Sequence, residues 1–353
     1  MNTIGNLLRL TTFGESHGKA IGGILDGLPP NTLIDTKQVQ SFLSLRSPGK
    51  RLTSPREEPD IVEFLSGLDS NSLSTGAPIA FVIANVDQRP KDYNSLSNLY
   101  RPSHADYTYA LKYGIHGETG GGRSSARETA VRCVAGAIAL QWLKTKGVEI
   151  CAYVSQVGKH KIPQPSKIYA NDEVYQYETR CPHSETDRAI RKEILQLKEQ
   201  GNSIGGIVTC QAYGVPIGWG APLYNKLNAQ IAFALMSINA AKGVEIGDGF
   251  SLAELYGTQA NDPMQITPDG KIKFLSNHSG GIQGGISNGE VITARVAFKP
   301  TATITLPQQT ITHELKSTIF SAEGRHDPCI AIRAVPVVQS MFALALADAA
   351  LQA

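Results

Sequence analysis

Gly120-Gly121-Gly122-Arg123-Ser124-Ser125-Ala126-Arg127-Glu128 reads as a glycine-rich loop running into a helix. Ser125 and Glu128 have the spacing of a capping box, with Ser at the N-cap and Glu at N3. Val131, Val134, Ala135, Ile138 and Trp142 then recur at helical spacing, and Gly147 ends the helix. Residues 148–157 follow as an apolar strand. A buried helix feeding straight into a strand sets the expectation of a mixed fold.

The rest of the chain extends that pattern. Strands are expected over 7–13 and 21–28, on either side of Gly14-Glu15-Ser16-His17-Gly18. Asp35 can cap a helix running to about residue 45. Further strands are expected over 61–65, 79–85, 204–213 and 290–298. Helices are expected over 104–113, over 184–200 with Ser184 as cap, and over a long apolar run at 223–241. Asp327-Pro328 starts a last helix that Pro336 should kink. Helices and strands do not alternate as in a Rossmann sheet, so the class is α+β. No linker composition divides the chain, so one domain over 1–353 is expected. The polar stretch 159–180 reads as a surface insertion.

Composition excludes some function classes. The chain has 353 residues, 41% apolar, with a net charge of only +2. That balance gives no electrostatic support for a nucleic-acid or membrane partner. No run of 18 uncharged apolar residues predicts a membrane span, and no signal peptide is evident. Five widely spaced cysteines, with no Cys/His metal spacing, predict free thiols in a reducing, cytoplasmic setting and no metal. Charged residues make up 18%, which fits extensive buried surface, subunit interfaces included. Nine of the fifteen arginines lie at or before Arg132, which points to local anion sites in that region.

Three segments carry chemistry. Gly14–Gly18 holds Ser16 and His17; the Gly120 segment holds Arg123 and Arg127; Gly324-Arg325-His326-Asp327-Pro328-Cys329 holds Arg325, His326 and Asp327. Arginine forks match carboxylate and phosphate oxygens, and histidine titrates near neutral pH. Arg123 and Arg127 oppose the positive end of the helix they precede, which an anionic partner would explain. Gly14-x-Ser16-x-Gly18 also matches the nucleophile elbow of a serine hydrolase, but the elbow needs a helix next, and residues 19–27 read as a strand. A fluorophosphonate probe would separate that reading. A non-catalytic anion-binding protein, with binding but no turnover, is a further alternative.

These segments, with Arg101-Pro102-Ser103-His104-Ala105-Asp106-Tyr107, Asn277-His278-Ser279-Gly280-Gly281-Ile282 and Phe298-Lys299-Pro300-Thr301, resemble the chorismate synthase family in order and spacing. The resemblance covers essentially the whole chain. It implies a single-domain β-α-β sandwich, helices between two sheets, assembled as a homotetramer. It implies anti-1,4-elimination of phosphate from 5-enolpyruvylshikimate 3-phosphate to give chorismate, with reduced FMN and no net redox change. It leaves open whether NADPH supplies the reductant. It assigns catalysis to His17, His104, Asp327, Ser16 and Ser125. It places Arg46, Arg51, Arg101, Arg127 and Arg325 at the substrate. It assigns flavin binding to Arg123, Ser124, Ser125, Asn239, Ala240, Gly284, Lys299, Pro300, Thr301, Ala302, Thr303 and Arg325. The chain departs from the family at Gln339, where Glu is usual, and at Thr119, where a basic residue is common.

Overall fold

Alternating apolar residues build two antiparallel sheets. The computed structural model describes residues 1–48, 51–54, 60–86, 98–115, 121–163, 168–322 and 327–353. The first sheet contains β1 (Thr3–Ile4), β2 (Arg9–Gly14), β3 (Ala20–Asp26), β4 (Val62–Phe64) and β5 (Ile79–Ala84), in the order β1-β2-β3-β5-β4. The second contains β6 (Glu149–Val157), β7 (His160–Lys161), β8 (Gly206–Tyr213), β9 (Ala241–Ile246) and β14 (Ile292–Phe298), in the order β7-β6-β8-β14-β9. Hairpins β10 (Met264–Ile266)–β11 (Ile272–Phe274), β12 (Ile282–Gln283)–β13 (Ile286–Ser287) and β15 (Gln308–Ile311)–β16 (Ser317–Phe320) stand outside both sheets.

The helices are α1 (Thr36–Ser44), α2 (Asp106–Tyr113), α3 (Thr129–Thr145), α4 (Asn171–Tyr175), α5 (Ser184–Gln200), α6 (Leu227–Met236), α7 (Gly257–Ala260) and α8 (Ala331–Gln352). The middle layer is α3 against α8, with α3 on β3 and α8 on β6 and β8. Both helices are apolar on nearly every face because both are enclosed. They cross closely at Gly136, where a Cβ would stand 2.2 Å from the Cβ of Ser340. Replacing that hydrogen with a methyl would force the helices apart. The expected α+β sandwich, with helices between two sheets, is the observed architecture. One contiguous core runs through all three layers.

Helix α8 is long and apolar enough to cross a membrane, but 89% of its apolar window is buried inside this chain. Its apolarity is therefore explained by the core, and it gives no ground for a subunit interface. Pro336 lies inside it, and Ser340 Oγ donates to Pro336 O at 2.7 Å. Gln339 is also structural: Nε2 donates to Ile150 O at 2.8 Å, tying α8 to β6. A glutamate carboxylate could not make that bond. Thr119 lies outside the described residues.

Several local expectations need correction. The 223–241 helix is only α6, Leu227–Met236; beyond its end Asn239 Nδ2 donates to Ser124 O, and Ala240 takes φ 65°, outside helical backbone. The capping box is not closed. Ser125 Oγ accepts from Arg127 N at 3.3 Å, while Glu128 pairs with Arg132, and a 3₁₀ turn precedes α3. His183, not Ser184, caps α5. The 159–180 stretch is no surface insertion where described: β7 joins the second sheet, and Ile162, Tyr169 and Val174 are buried in the core. The Asp35 cap is as expected, accepting from Lys37 N and Gln38 N.

Candidate active site

Between the second sheet and the start of α8 lies a cavity of about 590 Å³. That is the scale of a small-molecule or cofactor site. Ser124, Ser125, Asn239, Ala240 and the run Lys299–Thr303 line it, together with Arg46, His104 and Asp327. Chain segments separated by more than two hundred residues thus converge on one cavity. Ser16, His17, Arg51, Arg101, Arg123, Arg127 and Gly284 do not contribute to this lining. Arg325 lies outside the described residues.

His104 precedes α2 and is fixed by two neighbours. Its Nδ1 lies 2.5 Å from Asp106 Oδ1, and Arg101 forks onto the same carboxylate through Nε and Nη2 at 2.7 Å each. Burial pushes the Asp106 carboxyl up, but Arg101 and His104 outweigh it and hold it well below the usual range. An ionised carboxylate only accepts, so His104 Nδ1 carries the proton and Nε2 is left for a ligand. Gly121 permits this placement, since a Cβ there would stand 3.3 Å from His104 Cε1 at φ 88°.

Asp327 sits at the other sequence extreme. It does not cap α8, whose N-cap is Ile330. Instead Oδ1 accepts from Ser54 N at 2.7 Å and Oδ2 accepts from Arg333 Nη1 at 2.8 Å. Thr301 Oγ1 donates to Asp327 O at 2.8 Å, which joins the Lys299–Thr303 segment to it.

The arginines already have protein partners. Arg46 donates from Nη1 to Asp60 Oδ2 at 3.0 Å and from Nε to Thr129 Oγ1 at 2.9 Å. Arg127 Nη1 bonds to Asp60 Oδ1, so two guanidinium groups share this carboxylate. Arg123 bonds Thr12 O, Thr12 Oγ1 and Gly14 O, fixing the root of the Ser16-His17 loop. The expected external anion at these first-turn arginines is thus supplied in part from within the chain.

Ser16 Oγ lies 3.0 Å from His17 Nδ1. The element after Gly18 is β3, a strand, so the nucleophile-elbow reading fails. Gly284 forms the turn between β12 and β13. Arg51 is exposed.

The cavity wall suits an anionic, partly apolar ligand. Lys299 and Lys242 both line it, and burial together with the charge of Lys242 pulls the Lys299 pKa down. Relief of that strain favours a negatively charged group. Lys299 donates to Ser103 O at 2.6 Å and from its backbone to Ala240 O at 3.1 Å. Those two residues hold left-handed backbone at φ 58° and 65°. Such strain persists where the surroundings enforce it, which is common at ligand sites. Asn239 Oδ1 is buried with no partner among the described residues. Ile238, Ile330 and Val337 supply apolar wall.

Asp106, Arg333, Asp60 and Lys242 were missed as site residues. Asp106 stood in a quoted motif, and Arg333 is a cation at the head of an apolar helix. Both signals were visible. Asp60 gave none.

The comparisons with known proteins agree throughout. The family model described as chorismate synthase matches residues 8–351. A chorismate synthase of Porphyromonas gingivalis is 56% identical over 99% of this chain and 95% of its own length. One of Novosphingobium aromaticivorans is 49% identical over 99% and 96%. A crystal structure of chorismate synthase superposes with a TM-score of 0.78 at 31% identity, covering 99% of this chain and 93% of that one. The chain belongs to the chorismate synthase family, the carbon–oxygen lyases that eliminate phosphate from 5-enolpyruvylshikimate 3-phosphate to form chorismate in the shikimate pathway.

Proposed function

We propose that this chain performs the elimination with reduced FMN held in the 590 Å³ cavity. One observation carries the reading: an oriented histidine and an oriented carboxylate, His104 and Asp327, line the same cavity as two lysines and an apolar wall. The residues fit the group. Lys299, Pro300, Thr301, Ala302 and Thr303 would hold it with Ser124, Ser125, Asn239 and Ala240. Its chemistry is to lend electron density for expelling phosphate and to take up the departing hydrogen, with no net redox change.

The chain's own groups handle charge and protons. His104 presents Nε2 to stabilise negative charge on the ligand. Asp327 accepts a proton, with Ser125 and Ser16 as relay. His17 donates to the leaving phosphate. The substrate's two carboxylates and phosphate meet the Arg46–Asp60–Arg127 cluster, and Arg51, Arg101 and Arg325 complete the set of cations assigned to its anionic groups. Arg123 contributes by anchoring, and Gly284 by its turn. The single domain is supported by the continuous core.

Turnover should require FMN in its reduced form. An anaerobic assay with substrate and photoreduced FMN tests this. Product formation with oxidised FMN alone, or without flavin, would overturn it. Adding NADPH with oxidised FMN asks whether the chain also uses NADPH as reductant.

A cytoplasmic setting is supported by five free, buried cysteines. Burial pushes the thiols of Cys133 and Cys329 up to about 12, so they stay protonated and unreactive. The assembly is a homotetramer in this reading, supported by the exposed apolar residues Met264, Ile266 and Ile272 on the β10–β11 hairpin and Phe250 and Tyr256 nearby in sequence. Sedimentation should show a species about four times the chain mass. A lone 37.9 kDa species at micromolar concentration would reject it.

A further inference from the structure

Asn85 follows β5 and stands beside the loop that carries Ser16 and His17. Its Nδ2 donates to Glu15 O at 2.9 Å and to Gly18 O at 2.8 Å. These two carbonyls bracket Ser16 and His17. Its Oδ1 accepts from Arg127 Nε at 3.0 Å. Acceptors on one side and a guanidinium on the other fix which way the amide points. The backbone N–H of Asn85 also donates to Lys19 O at 3.1 Å, so the residue grips the loop from both ends.

The grip has a rigid support. Arg127 bonds Asp60, whose side chain is only 1% exposed, and Asp60 is held in turn by Arg46. A hydrogen-bonded chain therefore runs from a buried carboxylate to the two carbonyls around His17. The loop's own turn bond, Gly18 N–H to Glu15 O at 3.1 Å, closes the turn but does not fix it against the sheet. Asn85 supplies that second restraint.

We propose that Asn85 is a positioning residue, which sets where the His17 imidazole stands and so governs proton delivery by it. The proposal rests on the reading of His17 as proton donor. Misplacing a catalytic group by about 1 Å can cost about 10²-fold in rate. Asn85→Ala should therefore lower kcat by about 10- to 100-fold. The Kd for reduced FMN, titrated anaerobically, should stay within about threefold, because the touched atoms belong to the loop and not to the cavity lining.

A double-mutant cycle with His17→Ala provides the test. If Asn85 acts through His17, then Asn85→Ala in the His17→Ala background should change kcat by less than about twofold. A merely structural role would lower kcat equally in both backgrounds, and that result would overturn the proposal while leaving the His17 assignment intact. Near-normal turnover of His17→Ala alone would instead remove the assignment, and the proposal with it. Should Asn85→Ala fail to fold, Asn85→Ser keeps a hydroxyl donor, and the same cycle run with it separates the two roles in the same way.

Discussion

His104→Ala is expected to lower kcat by roughly 10²–10⁴, the scale for losing a group that moves or shares a proton in the transition state. The imidazole lines the cavity and is aimed by Asp106 at 2.5 Å. Removing it leaves Asp106 still forked by Arg101, so no buried charge is stranded and the fold should hold. Affinity for reduced FMN should change far less than turnover. Steady-state kinetics with an anaerobic flavin titration decide it, and near-normal turnover would return His104 to a structural role.

The pH dependence around this residue follows from Asp106. Its pKa is lowered on folding, so its pairing contributes stability fully above the usual carboxylate range. That stability is lost only as pH falls through the lowered value. The Asp106 pairing therefore stays intact from neutral pH down to the ordinary carboxylate range, and loss of activity within that window reports groups other than Asp106.

Sequence reasoning located what is encoded locally. Asp35 before α1 and the alternation in β5 needed no tertiary information. The glycine segment before α3 marked a place where an anion is wanted, because cations in a first turn oppose the helix dipole. It could not say where the anion comes from. The fold brings Asp60 to Arg127 from 67 residues away, and carbonyls of β2 to Arg123. The dipole argument is blind to the difference between an internal carboxylate and a ligand. The same limit explains Asn85 and Asp60. Each is an ordinary polar residue in sequence and gains meaning only from what it faces. The long helix expected at 223–241 failed for the opposite reason. The apolar run reads as one helix by composition, yet Leu223 and Tyr224 lie exposed before α6, and Ala240 takes left-handed backbone at the cavity wall.

Asp327→Asn is expected to lose turnover by a further large factor, about 10²–10⁴. The alternative in which Asp327 merely caps α8 is removed by the geometry, since Ile330 holds that position. What remains is a carboxylate bonded to Ser54 N and Arg333 at a cavity wall, 12% exposed. Asparagine keeps one acceptor for Ser54 but turns an NH₂ toward Arg333, donor facing donor. That should cost about 1.5–3 kcal/mol of stability, the scale of a bond to a charged group. The melting temperature should fall by several degrees without unfolding the protein at assay temperature. A control separates the ion pair from the chemistry. Arg333→Met breaks the same pair but leaves a carboxylate able to take a proton. If Asp327 is the proton acceptor, Arg333→Met should retain at least about ten times the turnover of Asp327→Asn. Equal losses in the two variants, or normal turnover in Asp327→Asn, would mean that the carboxylate holds the cavity wall together and the proton leaves by another route.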